Sequence, residues 1–582
     1  MHRRWFVNRT NPQFIKYLSA AASVSPVLAQ ILVNRGLKTS AEISSFLNPA
    51  LSHLTDPFDI NGMKSAVERI SAALRAGEKV LVHGDYDADG LSATAILIRA
   101  LRAIGVVCDY FIPSRMLHGY GFKASSVKKA KQAGATLVIT VDCGITSFDA
   151  AALCKKEGID LIITDHHEPV INHQFPVVGC ENDDKQPPPD SFRLPHAVAV
   201  IDPKLSGHDT PVSHLSGAGI ALKIAHALSI TWPGRLTVDE FFDLAALGTM
   251  ADIVPLTGEN RHIVKEGFES INNNVRPGVQ ALKNAAGLGG RRLNTGLLAF
   301  TLVPRINAAG RIDDANTVVK LLLTDSLEEA FDISLVLEKQ NTERQRIGKE
   351  VHEQALHILK SKGISPVIVL SAEGWHQGVI GIVASRITEE FHRPVILLSI
   401  EGGLARGSAR SIPAFDINKA LSSCKDLLST FGGHKQAAGL ELEASKIPAF
   451  EECMNGIARE MLSDDDFVPV LQIDAQVEFS EITFKLIKEI ETLEPFGYGN
   501  PEPLLGSKGL EVLSPRIVKD NHLKMRLRQR SHSIDAIGFD MASFFENLTG
   551  DTTVDAVFTP SLNEWEESRY LQLHLKALRP SK

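Results

Sequence analysis

Short runs of β-branched residues alternate with helical segments between residues 79 and 202, and this alternation constrains the fold more than any other feature of the sequence. The runs are KVLVHG, VCDYFI, TLVITVD, IDLIITD and AVAVID, and segments such as GLSATAILIRALRAIG separate the earlier ones. Such alternation indicates a parallel sheet, because parallel neighbours need a crossover that is usually a helix. We therefore predict an α/β domain in which helices cover a parallel sheet.

Acidic and imidazole side chains follow the strands of this predicted sheet. HGDYDADG follows the first run, VDCG and TDHHE follow the third and fourth, and ADIVPL carries a further acid inside an apolar stretch. The residues concerned are His83, Asp85, Asp87, Asp89, Asp142, Asp165, His166, His167 and Asp252. Since parallel strands bind ligands at the edge formed by their carboxyl ends, these side chains are expected to converge there. A lone aspartate in such a place usually caps a helix or shapes a turn, so it is the joint occurrence that favours a ligand site.

Carboxylates that cluster in this way repel one another, and burying them is costly unless cations neutralise them. A pair of divalent cations would do so, and oxygen and imidazole ligands without cysteine suit manganese or magnesium. Asp142 is the lone acid on its strand and could bridge two ions. Asp87 and Asp89 share one side of an extended loop and could reach adjacent ions. Paired ions of this kind stabilise the attacking and leaving oxygens during a displacement at phosphorus, so the sequence indicates phosphoester chemistry.

Length, charge and cysteine spacing limit the class of protein. The chain has 582 residues, which predicts roughly three or four domains, and its net charge of −8 by itself counts against a nucleic-acid binder. Any nucleic-acid surface must therefore be local. Six cysteines lie far apart without a CxxC pair, so we expect reduced thiols in a cytosolic protein and no zinc site. We find no apolar run long enough for a membrane helix and no signal peptide, so the expected location is cytoplasmic, with no membrane partner.

Shifts in composition divide the chain into five predicted parts. Residues 1–65 form an N-terminal extension of short helices and turns, to which the sequence assigns no role. A catalytic α/β domain spans 66–326, and a charged helical stretch at 327–363 connects it to a smaller α/β domain at 364–465. The connecting stretch could equally be a surface helix within one lobe. The remainder, 466–582, shows strand-like alternation and is predicted to be mostly β.

Several polar residues outside the acidic cluster are candidates for holding a phosphodiester. Arg115 could grip a terminal phosphate or form a surface salt bridge, and Tyr120 could stack on a base or pack in its loop. Asn307 and Arg311 in INAAGR could contact the phosphate that is cut, or belong to a helix N-terminal turn. Glycine-rich turns that enter a helix expose N–H groups to phosphate, which draws attention to GGHKQAAG, while Ser408 and Arg410 in GSARS are expected on a neighbouring strand. The candidates in these two stretches are Ser408, Arg410, Gly433 and His434.

A basic strand in the last part supplies the local positive charge that a nucleic-acid surface needs in a chain of negative net charge. In HLKMRLRQR the cations alternate with Leu523, Met525 and Leu527, so the two sets occupy opposite faces. In a small barrel the apolar face fills the interior and the cations line the outside. The cations are Lys524, Arg526, Arg528 and Arg530. We favour a groove for a single-stranded backbone; the plainer interpretation is a solvated edge strand protected by charge.

The motifs taken together resemble those of a known family. HGDYDADG, VDCG, DHH and GTMAD, in this order, are similar to the four signature motifs of the DHH phosphoesterases. The stretches IPSRMLHGYGF, PLTGENR, PRINAAGRI, WHQGVIGIVASR, GSARS, GGHKQAAG and LEPFGYGNPEP narrow the resemblance to the RecJ family of single-strand-specific 5′→3′ DNA exonucleases. The resemblance covers nearly the whole chain. It implies a parallel-sheet DHH domain, a smaller α/β DHH-associated domain across a cleft and joined by the long helix, and a C-terminal OB-fold barrel.

The resemblance also implies a role for each residue of the acidic cluster. The first metal would be held by His83, Asp87 and Asp142. The second would be held by Asp89, Asp142, His166 and Asp252. Asp85 and Asp165 would be supporting acids, and His167 would face the scissile phosphate together with Arg311.

The activity implied is metal-dependent hydrolysis of single-stranded DNA from its 5′ end, in recombination and repair. Single-stranded DNA is then the partner, with single-strand-binding protein and a helicase as further associates. Two other functions stay open at this point: a phosphodiesterase of the DHH family acting on short oligonucleotides or cyclic dinucleotides, and a non-catalytic single-strand-binding scaffold. The basic strand favours a polymeric substrate, and the complete set of ligand positions disfavours the scaffold.

Overall fold

The structure, a computed structural model, describes most of the chain. The described residues are 3–49, 54–114, 121–171, 192–207, 210–273, 276–548, 553–565 and 568–581. They fold into two compact units. The larger unit consists of Phe6–Asn307, Ala315–Ser334 and Gln472–Lys582. The smaller unit consists of Met1–Trp5, Ala308–Asp314 and Leu335–Leu471.

A five-stranded parallel sheet forms the first half of the larger unit. Its strands are β2 (Lys79–His83), β3 (Val107–Phe111), β4 (Leu137–Val141), β5 (Asp160–Thr164) and β8 (Ala199–Ile201). Three other strands lie outside this sheet: β1 (Arg4–Val7), and the small antiparallel pair β6 (Val170–Ile171) and β7 (Phe192–Arg193). The order across the sheet is β3-β2-β4-β5-β8, with parallel pairing throughout. Every residue of the central strand β4 is buried, so both faces of the sheet are covered. The parallel sheet predicted from the five runs is confirmed.

Helices connect these strands and complete the larger unit. They are α1 (Pro12–Ala22), α2 (Pro26–Asn34), α3 (Ser40–Leu47), α4 (Met63–Ala76), α5 (Ala88–Ile104), α6 (Ala124–Gln132), α7 (Phe148–Lys156), α8 (Gly217–Thr231), α9 (Phe242–Ala251), α10 (Gly258–Asn273), α11 (Pro277–Ala285), α12 (Val303–Ile312) and α13 (Asn316–Leu323). The end of α12, from Ala308 onward, belongs to the smaller unit. A long helix, α14 (Leu327–Lys362), joins the two units, with residues 327–334 in the larger and 335–362 in the smaller.

The smaller unit contains a mixed sheet. Its strands are β9 (Ile368–Glu373), β10 (Val395–Glu401), β11 (Leu404–Arg410), β12 (Thr430–Gly433) and β13 (Ala437–Glu443), and its helices are α15 (Gln377–Phe391), α16 (Ile417–Ser423) and α17 (Ile447–Met461). The order is β12-β13-β11-β10-β9, and only β9 and β10 are parallel. Alternate residues of β10 supply two cores: Ile396 and Leu398 pack in one, Val395 and Leu397 in the other.

A closed β-barrel forms the second half of the larger unit. Its sheet consists of β15 (Ala475–Gln476), β16 (Leu505–Val518), β17 (His522–Gln529), β18 (His532–Gly538), β19 (Thr553–Trp565) and β20 (Ser568–Pro580). In the chain, β14 (Val470–Ile473) precedes this sheet and lies outside it, and α18 (Phe484–Glu491) lies between β15 and β16. The order is β15-β16-β17-β18-β20-β19, and β19 returns to pair with β16. Along β17, Leu523, Met525 and Leu527 are buried, which confirms the alternation predicted for this strand.

The N-terminal helices share the core of the barrel. Leu18 of α1, Leu28 and Ile31 of α2 and Ile43 of α3 belong to the same buried cluster as the inner residues of β16, β17 and β19. The apolar faces of these helices are therefore buried against the barrel, and the helices do not form a separate core. No single described helix is long and apolar enough to cross a membrane; α1 and α2 pass that test only as a bent pair.

Two of the six cysteines are joined in the structure. Cys424 and Cys453 form a disulfide, although 29 residues separate them in the sequence. The expectation that all six are reduced thiols is wrong for this pair. Cys424 follows α16 and Cys453 lies on α17, and both helices pack on one core, so tertiary packing brings together two thiols whose spacing carries no signal. Cys108, Cys143 and Cys154 are free thiols.

Candidate active site

The acids of DYDADG lie in the connection from β2 to α5. Asp87 caps α5, since its Oδ1 accepts the backbone N–H groups of Asp89 at 3.1 Å and Gly90 at 3.0 Å. The N–H of Ala88 donates to the side-chain oxygen of Asn307 at 2.8 Å. Asn307, which the sequence suggested as a phosphate contact, therefore positions the loop that carries the acids.

Asp89 is fixed by the N-terminus of α8. Its two carboxylate oxygens accept the N–H groups of Gly217 at 2.6 Å and Ala218 at 2.9 Å. The positive end of a helix stabilises a carboxylate in this position. Gly248 on α9 closes the other side, because a Cβ there would lie 2.4 Å from Oδ1 of Asp89. The carboxylate is thus held between two helices without a basic side chain among these contacts.

Asp142 follows β4 in a strained conformation. Its φ of 61° lies in the left-handed region that non-glycine residues rarely adopt, a kind of strain that concentrates at functional sites. A Cβ at Gly217 would lie 2.6 Å from the Cβ of Asp142, so only glycine fits there. The Nε2 of His166 lies 3.0 Å from Oδ1 of Asp142, 3.5 Å from Oδ2 of Asp252 and 4.0 Å from Oδ2 of Asp89. Residues from three separate motifs and α9 therefore meet at one edge of the sheet.

Three overlapping groups of side chains at this edge could each hold a metal ion, with one ligand atom per residue and all atoms of a group within 4.8 Å of one another. The first is Asp85, Asp87 and Asp142; the second is Asp89, His166 and Asp252; the third is Asp142, His166 and His167. Asp142 belongs to two groups, so it can reach two neighbouring positions. The oxygen and imidazole donors fit manganese or magnesium.

The structure shows the contacts of His83, and its role as a metal ligand stays a prediction. None of the three groups among the described residues includes it. Its Nε2 lies 2.9 Å from Oγ of Ser126, its Nδ1 lies 3.6 Å from Sγ of Cys143, and its ring packs edge-on against Phe122. Burial lowers the pKa of His83 to about 4, so the ring is neutral. Asp85, for which the resemblance implies a supporting role, belongs to one of these groups, with Asp87 and Asp142.

Asp165 organises the DHH motif. It accepts the N–H of Ile145 at 2.8 Å, the N–H groups of His166 and His167 at 2.8 and 3.1 Å, and lies 2.7 Å from Nδ1 of His167. Burial opposes ionisation, yet the hydrogen bond and charge of His167 hold the pKa of Asp165 below its usual value. In turn, the Asp165 carboxylate overcomes burial and raises the pKa of His167 to about 9. This pairing keeps the imidazole protonated and turns its Nε2 away from Asp165.

Three acids of the site, Asp89, Asp142 and Asp252, have raised pKa values in the metal-free protein. Burial, followed by repulsion from Asp87, raises the pKa of Asp89 to about 7. Burial, followed by repulsion from Asp89, raises the pKa of Asp252 to about 8 and that of Asp142 well above its usual value. For Asp252, burial and repulsion from neighbouring acids outweigh the opposing charges of His167 and Lys204. Raised pKa values of this kind are expected of acids that share cations.

Metal binding is expected to stabilise the protein more at high pH than at low pH. Because the folded pKa values of Asp89 and Asp252, about 7 and 8, exceed the usual 3.8, the metal-free protein loses stability as the pH rises through them. Manganese replaces the protons and removes this loss. Thermal unfolding with and without manganese, measured above and below these pKa values, should therefore give the larger shift at the higher pH. A shift independent of pH would contradict the site.

Three predicted residues, Ser408, Arg410 and Arg311, lie near the first half of α15. Ser408 and Arg410 lie on β11, and a Cβ at Gly381 would lie 3.3 Å from Oγ of Ser408 and 3.2 Å from Nη2 of Arg410. Nε of Arg410 also donates to Oγ of Ser385 at 3.1 Å. Arg311, near the end of α12, donates to the carbonyl oxygen of Gly378 at 3.1 Å. The structure thus brings two guanidinium groups to the same helix.

GGHKQAAG does not enter a helix, and the expectation of a helix N-terminal phosphate cradle there is wrong. It forms the hairpin turn between β12 and β13, in which the N–H of His434 donates to the carbonyl oxygen of Ala437 at 2.8 Å. Gly433 pairs with Ala438, and a Cβ at Gly433 would lie 2.5 Å from the Cα of Ala438. The small residues serve close strand packing, a use of glycine that local sequence does not distinguish from a phosphate loop.

The basic strand carries less free charge than its sequence suggests. Arg526 pairs with Asp535 at 2.8 Å, Arg528 with Glu511 at 2.5 Å, and Arg530, in the turn beyond β17, with Glu478 at 3.6 Å. Lys524 is partly exposed on the same outer face as Arg526 and Arg528. Arg115 and Tyr120 lie outside the described residues.

Sequence reasoning missed the groups that hold the acids in place. Gly217 and Ala218 begin α8, and Gly248 lies on α9. A signal was present, because Ser216 caps a helix that opens with Gly-Ala-Gly, a pattern suited to close approach of a carboxylate. Nothing in the sequence indicated which carboxylate would approach it.

Comparisons with known proteins agree along the whole chain. Family models match the N-terminal domain of the DHH family over residues 79–249, the DHHA1 domain over 365–460 and the RecJ OB domain over 473–577. A protein of Bacillus subtilis named single-stranded-DNA-specific exonuclease RecJ is 36% identical over 98% of this chain and 70% of its own length. The Escherichia coli protein of the same name is 32% identical over 96% of both chains.

Solved structures give the same result. The crystal structure of Thermus thermophilus RecJ in complex with Mn²⁺ has a TM-score of 0.83 and 31% identity, covering 100% of this chain and 80% of that one. The Mg²⁺ complex of RecJ from the same organism has a TM-score of 0.78 and 30% identity, covering 100% and 79%.

Proposed function

The chain belongs to the RecJ family of single-stranded-DNA-specific exonucleases, and from this we propose that it hydrolyses the phosphodiester bonds of single-stranded DNA with two divalent cations, manganese or magnesium. The observation that carries the proposal is the meeting of acids and imidazoles from separate motifs at one edge of the sheet, in groups that fit two adjacent cations around Asp142. Structures of RecJ relatives contain Mn²⁺ or Mg²⁺, which matches this donor set.

We assign the ligands from the geometry. Asp85, Asp87 and Asp142 would hold one cation. Asp89, Asp142, His166 and Asp252 would hold the other. His83 is left in the wall of the site, because Ser126 and Cys143 lie next to its two ring nitrogens. The bound cations supply positive charge that lowers the pKa of the attacking water and offsets charge on the phosphate.

His167 is proposed to act directly on the phosphate. Asp165 lies 2.7 Å from its Nδ1 and orients the ring, and Nε2 is proposed to donate to a non-bridging phosphate oxygen. The raised pKa keeps that proton in place at neutral pH, so the group stabilises charge that develops during attack. Arg311 is proposed for a similar electrostatic role.

The finer features of the activity are proposals that rest on the family. They are 5′→3′ polarity, entry of a thin single strand with exclusion of duplex, action in recombination and repair in the cytoplasm, and association with single-strand-binding protein and a helicase. The domain boundaries stated from the sequence, and substrate contacts by Arg115, Tyr120, Ser408, Arg410, Gly433, His434 and the cations of β17, are proposals of the same standing.

The decisive experiment incubates the purified protein with manganese and single strands labelled at the 5′ or the 3′ end, beside the matching duplex. The expected result is early release of the 5′ label as a mononucleotide, gradual shortening of the 3′-labelled strand, and little loss of the duplex. Chelation should stop the reaction. A preparation that leaves every strand intact with manganese or magnesium would refute the activity, and equal attack on duplex would refute the strand selectivity.

One observation favours the alternative substrate class, short oligonucleotides. The ion pairs of Arg526 and Arg528 reduce the free positive charge that a long strand would need on the barrel. Deleting the barrel would not test this cleanly, because the N-terminal helices share its core. Comparing kcat/KM for a dinucleotide and a long single strand is the better measurement: a strong preference for the dinucleotide supports the alternative.

A further inference from the structure

An exposed aromatic residue stands on a turn of the stretch LEPFGYGNPEP. Tyr498 is 64% exposed. Its neighbours close a tight turn: the N–H of Gly497 donates to the carbonyl oxygen of Asn500 at 2.9 Å, and the reverse bond measures 3.1 Å. Gly499 has a φ of 74°, a conformation that glycine adopts without strain. The turn therefore holds Tyr498 at its tip.

The turn is rigid because buried groups fix it from within. Asn500 is fully buried, and its side-chain amide donates to the carbonyl oxygens of Leu493 at 2.8 Å and Pro495 at 2.7 Å. The guanidinium of Arg261, from α10, donates to the carbonyl oxygens of Leu493 at 2.7 Å and Thr492 at 3.0 Å. A side chain presented on such a base loses little conformational freedom when it binds a ligand.

The same turn is attached to the segment that leaves the metal centre. The N–H of Leu256 donates to the carbonyl oxygen of Tyr498 at 2.7 Å. A Cβ at Gly497 would lie 2.7 Å from the Cδ1 of Leu256, so the two segments pack closely here. Leu256 follows Asp252, a proposed metal ligand, by four residues, a span of at most about 14 Å for an extended chain. Tyr498 therefore lies within the length of a few nucleotides of the scissile bond. It belongs to the segment that precedes β16 of the barrel.

We propose that Tyr498 stacks on a nucleobase of the single-stranded substrate, a short distance beyond the bond that is cut. This inference rests on the proposed function and adds a positioning contact to it. Every base has a π-face, so an aromatic platform retains a strand without reading its sequence, as a non-specific exonuclease requires. A strand gripped here is held while its end lies at the metal centre. An aromatic contact also suits a barrel whose arginines are already paired with acids.

The test compares Tyr498→Ala, Tyr498→Phe and Tyr498→Trp with the wild type, using a dinucleotide and a long single strand with manganese. Stacking contributes about 1–3 kcal/mol per base, so for Tyr498→Ala the ratio of kcat/KM on the long strand to that on the dinucleotide should fall about 5- to 150-fold, mainly through KM. The phenylalanine and tryptophan variants should keep the ratio. Tyr17→Ala, which removes an aromatic residue 67% exposed on α1, is the matched control and should change neither rate.

Strands with one abasic position locate the contact. In the wild type, the abasic site should weaken binding most when it lies at one or two particular positions. In Tyr498→Ala, an abasic site at those positions should cause no additional loss of binding, because the contact it removes is already absent. Additive losses at every position, or an unchanged ratio in Tyr498→Ala, would overturn the stacking proposal and leave the turn as a surface for another partner. Failure of the wild type on both substrates would instead refute the proposed function, so the two failures are distinguishable.

Discussion

Replacing Asp142 by alanine is expected to lower the rate of strand hydrolysis by about a thousandfold or more, a loss of about 4 kcal/mol in transition-state stabilisation. Asp142 is common to two of the groups that could hold a metal, and its Oδ1 lies 3.0 Å from Nε2 of His166. Removing it takes a ligand from both proposed cations at once. The measurement is single-turnover cleavage of a 5′-labelled strand with saturating manganese.

The Asp142 experiment needs evidence that the loss is chemical. The metal-free wild type carries strain at this residue, because burial raises the pKa of Asp142 and its φ is 61°. Asp142→Asn should therefore be as stable as the metal-free wild type, or more stable, while remaining inactive. Asp149→Asn, which alters an exposed acid in the first turn of α7, should cut DNA normally. An Asp142 variant with near-normal cleavage would contradict a shared ligand.

Replacing Arg261 by methionine is expected to lower the free energy of unfolding by about 3–5 kcal/mol, since hydrogen bonds from a buried charge contribute about 1.5–3 kcal/mol each. Arg261 is 2% exposed, and its guanidinium donates to the carbonyl oxygens of Phe46, Leu493 and Thr492 at 2.7–3.0 Å. Methionine fills similar volume but leaves the carbonyl oxygens of Phe46, Leu493 and Thr492 without this donor. Thermal and denaturant unfolding of the metal-free protein measure the effect.

Two further variants sharpen the Arg261 result. Arg261→Lys keeps the charge but cannot donate in three fixed directions, so it should restore only part of the stability. Arg292→Met removes an arginine that is 66% exposed and pairs with Glu269 on the surface, and it should cost less than about 1 kcal/mol. Equal effects of Arg261→Met and Arg292→Met would show that the buried guanidinium is not what joins α3, α10 and the segment after α18.

The sequence by itself determined the parallel sheet, the alternation along β17 and the position of each acid at a strand or helix end. These features are local, because strand and helix periodicities and the chemistry of a strand end are written in consecutive residues. Asp85, Asp142 and His166 follow strands of the parallel sheet β3-β2-β4-β5-β8, so the sheet order alone brings them to one edge.

Only the tertiary structure decided which side chains meet. It turned His83 towards Ser126 and Cys143, placed Asp85 close to Asp87 and Asp142, made a hairpin of GGHKQAAG and joined Cys424 to Cys453. It also paired Arg526 and Arg528 with acids on neighbouring strands. The physical reason is common to all of these: side-chain direction and partner depend on packing between segments far apart in the chain, and the spacing of residues along one segment carries no record of it.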